Sequence, residues 1–166
     1  MPLIRPLVAG DAAELAALYA ANRAFLAPFE PDHPDEYFTA TGQRERLEQS
    51  LARDEHRFAI LDGGAIAGTI SLTHVARGPL QSAIVGYWID RERNGRGLAT
   101  GALDEVVRFA FGELGLHRLE AGTLVDNLAS QRVLEKNGFE RIGVARRYLQ
   151  IAGDWLDHVL FQRVAD

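Results

Sequence analysis

The chain has 166 residues, enough for one domain that buries about two-thirds of the surface exposed by its unfolded form. With 47% hydrophobic and 25% charged residues and a formal charge of -5, its composition is that of a globular protein and argues against a broad nucleic-acid-binding face. The sequence contains no cysteine, which excludes disulfides, thiolate metal sites and a cysteine nucleophile.

Met1-Pro2-Leu3-Ile4-Arg5-Pro6 holds no signal-peptide core, and no apolar run reaches membrane-spanning length. A cytoplasmic location without a membrane partner is the expectation. Leu3 to Val8 predicts a first strand. Gly10-Asp11 opens a helix, with Asp11 and Glu14 at capping-box spacing and Leu15, Leu18, Tyr19, Asn22 and Phe25 on one face. Pro28, Pro31 and Pro34 impose a rigid, non-helical loop that also carries Phe29, Glu30 and His33. A charged helix is expected from near Thr41 to Ala52. Arg57 to Leu61 and Ala65 to Val75 flank Asp62-Gly63-Gly64 as a hairpin, and Ser82 to Asp90 follows as another strand. Leu98 to Leu114 reads as an amphipathic helix, Arg118 to Val125 as a strand, and Ala129 to Lys136 as a short helix. Phe139 to Ile151 and Trp155 to Val164 form a closing hairpin. The order β-α-α-β-β-β-α-β-α-β-β predicts an α/β fold, one domain over residues 1–166, with a mixed sheet and helices on both faces. A ligand crevice is expected where the Ile84 strand ends.

At that point stands Asn94-Gly95-Arg96-Gly97-Leu98-Ala99. Glycines between a strand and a helix let successive N–H groups converge on one anion, and the helix dipole adds partial positive charge. The pattern is neither the dinucleotide fingerprint nor a P-loop. It resembles the [Q/R]-x-x-G-x-[G/A] motif of GNAT N-acetyltransferases, with Asn94 where glutamine or arginine is usual. Asp126-Asn127-Leu128-Ala129-Ser130-Gln131-Arg132-Val133-Leu134-Glu135-Lys136-Asn137-Gly138-Phe139 resembles the N-x-x-[A/S] to G-F signature of the same family. Asn22 to Pro31 and Tyr148 to His158 are similar to the N-R-x-x-L-x-P-[W/F]-x-P and Y-L-x-I-x-G-x-W-x-D-H segments of ribosomal-protein-alanine N-acetyltransferases.

The resemblance implies the GNAT fold, with its central sheet splayed, and acetyl-CoA as cosubstrate without a metal. It implies that Trp88 and Ile89 offer backbone groups to the pantetheine arm, and that Asn94, Gly95, Arg96, Gly97, Leu98, Ala99 and Thr100 hold the pyrophosphate. Asn127 and Ser130 would stand beside the thioester, and Arg132 or Lys136 would meet the adenosine end. Each has a plainer reading: Asn127 as a helix N-cap, Ser130 as a first-turn serine, Arg96 and Lys136 as solvated charges, and Trp88 as core. Phe29, Glu30, Tyr37 and Tyr148 are candidates to contact the acceptor. The resemblance also allows a homodimer. His33, His56, His74, His117 and His158 show no metal-ligand spacing, and His74 and His158 read as structural.

The implied reaction is direct attack of an amine on the thioester. Many relatives protonate the leaving thiolate with a tyrosine four residues after the Ser130 position; here that position is Leu134, so Ser130 is the replacement and Tyr148 a second candidate. Glu30 is the first choice of general base and Glu120 the reserve, although Glu120 could instead pair with Arg118. An α-amine with pKa about 8 is roughly one-tenth neutral at pH 7, a cost of about 1.4 kcal/mol, whereas a lysine near 10.4 costs about 4.6 kcal/mol. Weak acid and base groups therefore favour the N-terminal α-amine of a protein, a ribosomal one included. A small amine acceptor and a non-catalytic acyl-CoA-binding regulator are the other readings.

Overall fold

The computed structural model describes residues 1–166. Strands β1 (Ile4–Pro6), β2 (His56–Asp62), β3 (Ala65–Ala76), β4 (Ser82–Ile89), β5 (Arg118–Leu124), β6 (Glu140–Ile151) and β7 (Asp154–Val164) alternate with helices α1 (Ala12–Leu26), α2 (Ala40–Ala52), α3 (Leu98–Gly112) and α4 (Leu128–Lys136). This is the expected element order. The strands form one sheet in the order β1-β2-β3-β4-β5-β7-β6. Every neighbouring pair is antiparallel except β4 and β5, the two strands joined through α3.

The period-2 alternation decides which residues reach which layer. On one face, Val85 and Ile89 of β4, Leu119 and Ala121 of β5, and Val159 and Phe161 of β7 pack with Leu103, Val106 and Ala110 of α3 and with Leu134 of α4. On the other face, Leu15 and Tyr19 of α1 and Leu47 of α2 enclose Ala59, Ile66 and Trp88. The Trp88 indole lies 4.8 Å from the Tyr19 ring, and its Nε1–H donates to the Tyr19 hydroxyl at 3.1 Å. This side chain is therefore core, and only its backbone is available to a ligand.

β4 and β5 pair over three residues only, Ser82 with Arg118, Ala83 with Leu119 and Ile84 with Glu120. Beyond them each strand follows its outer partner: β4 stays paired with β3 to Ile89, and β5 with β7 to Leu124. The sheet opens between Val85–Ile89 and Ala121–Leu124.

Two local expectations are corrected. The first strand is Ile4–Pro6 rather than Leu3 to Val8, because the chain turns at Val8 to place Asp11. Asp11 and Glu14 form no reciprocal cap. Instead, the Asp11 carboxylate accepts from the Val8 N–H at 2.9 Å and from both terminal nitrogens of Arg5 at 2.8 and 2.9 Å, while Glu14 Oε1 accepts from the Ile66 N–H at 3.0 Å. The Arg5 hydrogen bonds hold the Asp11 carboxyl below its ordinary range despite its burial.

A depressed carboxylate stabilises the folded state above the ordinary aspartate range, near pH 4, and that contribution fades as pH falls through the lower folded value. Asp11→Asn is expected to cost about 1–2 kcal/mol at pH 7, with the gap from wild type closing in acid. Urea unfolding at pH 7 and at pH 3.5 checks this; an equal gap at both values would assign the loss to something other than the charge.

Candidate active site

The opening between β4 and β5 is the waist of a cavity of about 610 Å³ that passes from one face of the sheet to the other. Phe25, Leu26, Phe29, Glu30 and Pro31 line it from the end of α1 and the proline loop, while Ala129, Ser130, Val133 and Leu134 line it from α4. Residues Val85–Ile89 and Ala121–Leu124 supply the waist. Along that gap the facing backbone edges of the two strands have no ladder partner. Buried N–H and C=O groups require partners, so an extended, amide-bearing molecule laid along the gap would satisfy them.

At the carboxyl end of β4 the chain turns through Asn94–Gly97 into α3. Gly95 and Gly97 adopt φ of +77° and +76°, a left-handed conformation that a side chain would strain even though the space beside both is open. No protein group accepts from the N–H groups of Asn94, Gly95, Arg96 or Gly97. The first-turn N–H groups of α3 add to them, giving a concave array of donors at the positive end of a 15-residue helix. The Asn94 side chain donates to the carbonyls of Ile89 and Asp90 at 3.3 Å and so ties the turn to its own strand.

Asn22, buried on α1, fixes the same turn from outside. It donates to Asp90 Oδ1 at 3.1 Å and accepts from the Arg91 N–H at 3.0 Å. Helical periodicity puts Asn22 on the packing face of α1; the structure adds this bracing role. Its signal was a polar residue in an otherwise apolar stripe.

Ser130 stands in the first turn of α4. Its N–H donates to the Asn127 side chain at 3.3 Å, so Asn127 caps the helix and orients it. Ser130 Oγ lies 2.9 Å from the hydroxyl of Tyr87, whose oxygen is also 3.1 Å from the Ser130 carbonyl; when the single phenolic hydrogen turns to Oγ, the serine keeps its own hydrogen for another acceptor. Tyr87 shares its face of β4 with Val85 and Ile89, and burial pushes its hydroxyl up to about 12, so it stays protonated through the neutral range. Sequence reasoning missed this residue. The signal was available in the strand alternation, which points residue 87 toward α4. Leu134, at the position where the family resemblance implies a tyrosine, is fully buried and lines the cavity with carbon alone. A phenol thus reaches the serine from β4 rather than from α4.

The remaining candidates divide by position. Trp88, Ile89, Asn94, Gly95, Ala99, Asn127 and Ser130 line the cavity, as do Phe29 and Glu30. Leu98, 9% exposed, packs into the main core, and the Thr100 carbonyl accepts from Asn137 Nδ2 at 3.2 Å. Arg96 is held by Asp62 at 3.0 Å, and Arg132 and Lys136 are exposed and outside the cavity lining. Glu120 also lies outside it: its carboxylate accepts from Arg118 Nε at 2.9 Å, because residue 120 falls within the paired stretch of β4 and β5.

Tyr37 does not reach the cavity either. It stacks on His33 at 3.8 Å and meets the edge of Tyr19 at 5.0 Å. The Arg46 guanidinium sits 4.9 Å above its ring, and burial raises its pKa well above the usual tyrosine value. Tyr148 is 42% exposed, with its ring 5.6 Å from that of His158. No three His, Cys, Asp or Glu side chains converge as a metal site, and no helix is long and apolar enough to cross a membrane.

A split sheet, an unpaired strand edge and an anion-ready helix start are the features that fit an acyl-CoA. Residues 3–140 match the model of the acetyltransferase (GNAT) domain family. The chain is 44% identical over 161 residues to a probable N-acetyltransferase, YjcK, of Bacillus subtilis, covering 93% of this chain and 89% of that one. It is 34% identical over 158 residues to the [ribosomal protein uS5]-alanine N-acetyltransferase of Escherichia coli, covering 90% and 80%. Its fold matches that of Mycobacterium smegmatis RimJ, solved in complex with CoA-disulfide, with a TM-score of 0.93 and 31% identity over 98% of this chain and 81% of that one. The chain belongs to the GNAT acetyltransferase family. It is an acetyl-CoA-dependent N-acetyltransferase related to the enzymes that acetylate ribosomal proteins.

Proposed function

We propose that this enzyme acetylates the N-terminal α-amine of a protein or peptide, with a ribosomal protein as the physiological class. The observation that carries this reading is the scarcity of carboxylates in the cavity: Glu30 is the one carboxylate among its lining residues, which also include one guanidinium, Arg91. A single carboxylate at the mouth on the α1 side suits a single ammonium. A polyamine would bring several charges into a lining dominated by Phe25, Phe29, Leu149 and Ile151. The relative named as a [ribosomal protein uS5]-alanine N-acetyltransferase supports the same class.

In this reading the backbone of Trp88 and Ile89 holds the pantetheine arm, and the N–H array from Asn94 to Thr100 holds the pyrophosphate. Acetyl-CoA supplies an acyl carbon already activated as a thioester. Glu30 attracts the acceptor ammonium to the opposite mouth. Ser130 presents its hydroxyl at the waist as a hydrogen-bond donor for charge developing on sulphur, and Tyr87 is a positioning residue that keeps this hydroxyl aimed. A preset donor at the point of charge development acts without reorganising in the transition state, which compensates for a hydroxyl's weak acidity.

The test is CoA release from acetyl-CoA with Ala-, Ser- and Met-starting peptides beside spermidine and free lysine. Turnover of peptides that stops when their N-termini are blocked is expected. Faster turnover of spermidine or lysine would move the acceptor class to small amines.

A further inference from the structure

The cavity contains one imidazole, and its hydrogen bonding leaves it poised to accept a proton. His158 lies on β7 opposite Leu124 of β5 and Ala145 of β6, and it is only 4% exposed. Its Nδ1 is 2.9 Å from the carbonyl of Leu156. A carbonyl only accepts, so Nδ1 carries the hydrogen, and the neutral ring then keeps its lone pair on Nε2. No group of the chain bonds Nε2, and the residue lines the cavity.

The ladder also defines the side from which the imidazole acts. His158, Leu160 and Gln162 share a face with Leu124, Gly122 and Glu120, whereas Val159 and Phe161 share the opposite face with Thr123 and Ala121 and enter the α3–α4 core. Ser130 belongs to α4, on that opposite side. The imidazole and the serine hydroxyl therefore address the waist from opposite faces of the sheet. Glu30, the carboxylate that shares the cavity, is already 3.5 Å from His33 Nε2.

We propose that His158 is the general base of the transfer, taking the proton of the attacking amine on Nε2, while Glu30 only binds the acceptor's charge. The acceptor drawn in by Glu30 as an ammonium first gives one proton to water; as the neutral amine nitrogen then bonds to the acetyl carbon, a second N–H proton passes to Nε2. The C–S electron pair leaves with sulphur, which accepts a hydrogen bond from Ser130 and is protonated from water, and the imidazolium returns its proton to water. Two protons leave the ammonium nitrogen and one joins sulphur, so each turnover of a charged acceptor releases one proton to water. The charged and titratable neighbours are Tyr148 from β6, Glu30 from the proline loop and Arg91 from the turn after β4. β5 presents only Gly122 and Leu124, and Asp157 is turned away to the Arg147 N–H. This inference rests on the acceptor reading only for the choice of amine.

His158→Asn keeps an amide N–H in place of Nδ1–H, so the bond to Leu156 can persist while the base is removed. The expected result is a fall in kcat on the order of 10²–10³-fold, unchanged acetyl-CoA binding by calorimetry, and partial rescue by added imidazole. Glu30→Gln should raise KM and leave kcat nearly unchanged. Independently of activity, nitrogen-15 NMR of the free protein should show His158 as the Nδ1–H tautomer. An Nε2–H tautomer, or a His158→Asn enzyme within about threefold of wild-type kcat, overturns the proposal. The variant is compared on whichever amine wild type uses best, so a preference for small amines would sink the peptide reading without touching the test of His158.

Discussion

Ser130→Ala is expected to lower kcat on the order of 10²–10³-fold while leaving acetyl-CoA affinity nearly unchanged. The separation follows from where the atoms are. The donors proposed for the cosubstrate's anionic end are the backbone N–H groups at Asn94–Gly97 and the start of α3, which have no protein acceptor and do not involve Ser130. The Asn127 cap is a bond to the Ser130 N–H, which alanine retains. Only the hydroxyl is lost, and with it the proposed donor to the leaving sulphur. Tyr87→Phe should cost less, about tenfold in kcat, because it removes only the neutral hydrogen bonding that steadies the serine. Steady-state kinetics beside calorimetric acetyl-CoA binding separates the two quantities. If Ser130→Ala chiefly weakened binding, the hydroxyl would be a binding group and the leaving thiolate would need another donor.

The largest expected effect on stability comes from Phe161→Ala, at about 3–5 kcal/mol. Phe161 is 1% exposed and packs in the core formed with α3 and α4. It sits on β7, the strand that holds β5 on one side and β6 on the other, opposite Ala121 and Arg141. Domains of this size commonly have only about 5–15 kcal/mol of net stability, so this substitution should leave a marginal fold. A thermal midpoint lower by about 10 °C is expected. A shift of only about 2 °C would mean that the core collapses around the vacancy.

Much of this architecture was legible in the sequence because its signals are local. The glycine pair at Gly95 and Gly97 demands a left-handed turn wherever it occurs, and the structure places that turn before a helix, as its spacing predicts. The hairpin over Asp62–Ala65 and the closing hairpin over Ile151–Asp154 follow equally from turn residues between apolar alternations. What stayed hidden depends on strands meeting across the fold. Tyr87 is unremarkable in a β-branched run until α4 lies over it, and the two are 43 residues apart. His158 reads from sequence as a structural histidine, and its Nδ1 does hold a backbone carbonyl; its other nitrogen acquires a cavity only because β5 parts from β4. Glu120 failed as a site candidate for the same reason reversed, since it falls in the short stretch where those strands remain joined. Spacing alone does not reveal at which residue a sheet divides.

That division also makes the molecule two leaves on a narrow binding. Strands β1–β4 form one leaf and β5–β7 the other, stitched in the sheet by the three pairs from Ser82 to Ile84 and spanned on one face by α3. A molecule that takes up the free edges of both strands adds a second row of stitches. Occupancy and stiffness would then be one property: with such a molecule in the gap the protein would be mechanically closer to a continuous sheet than without it.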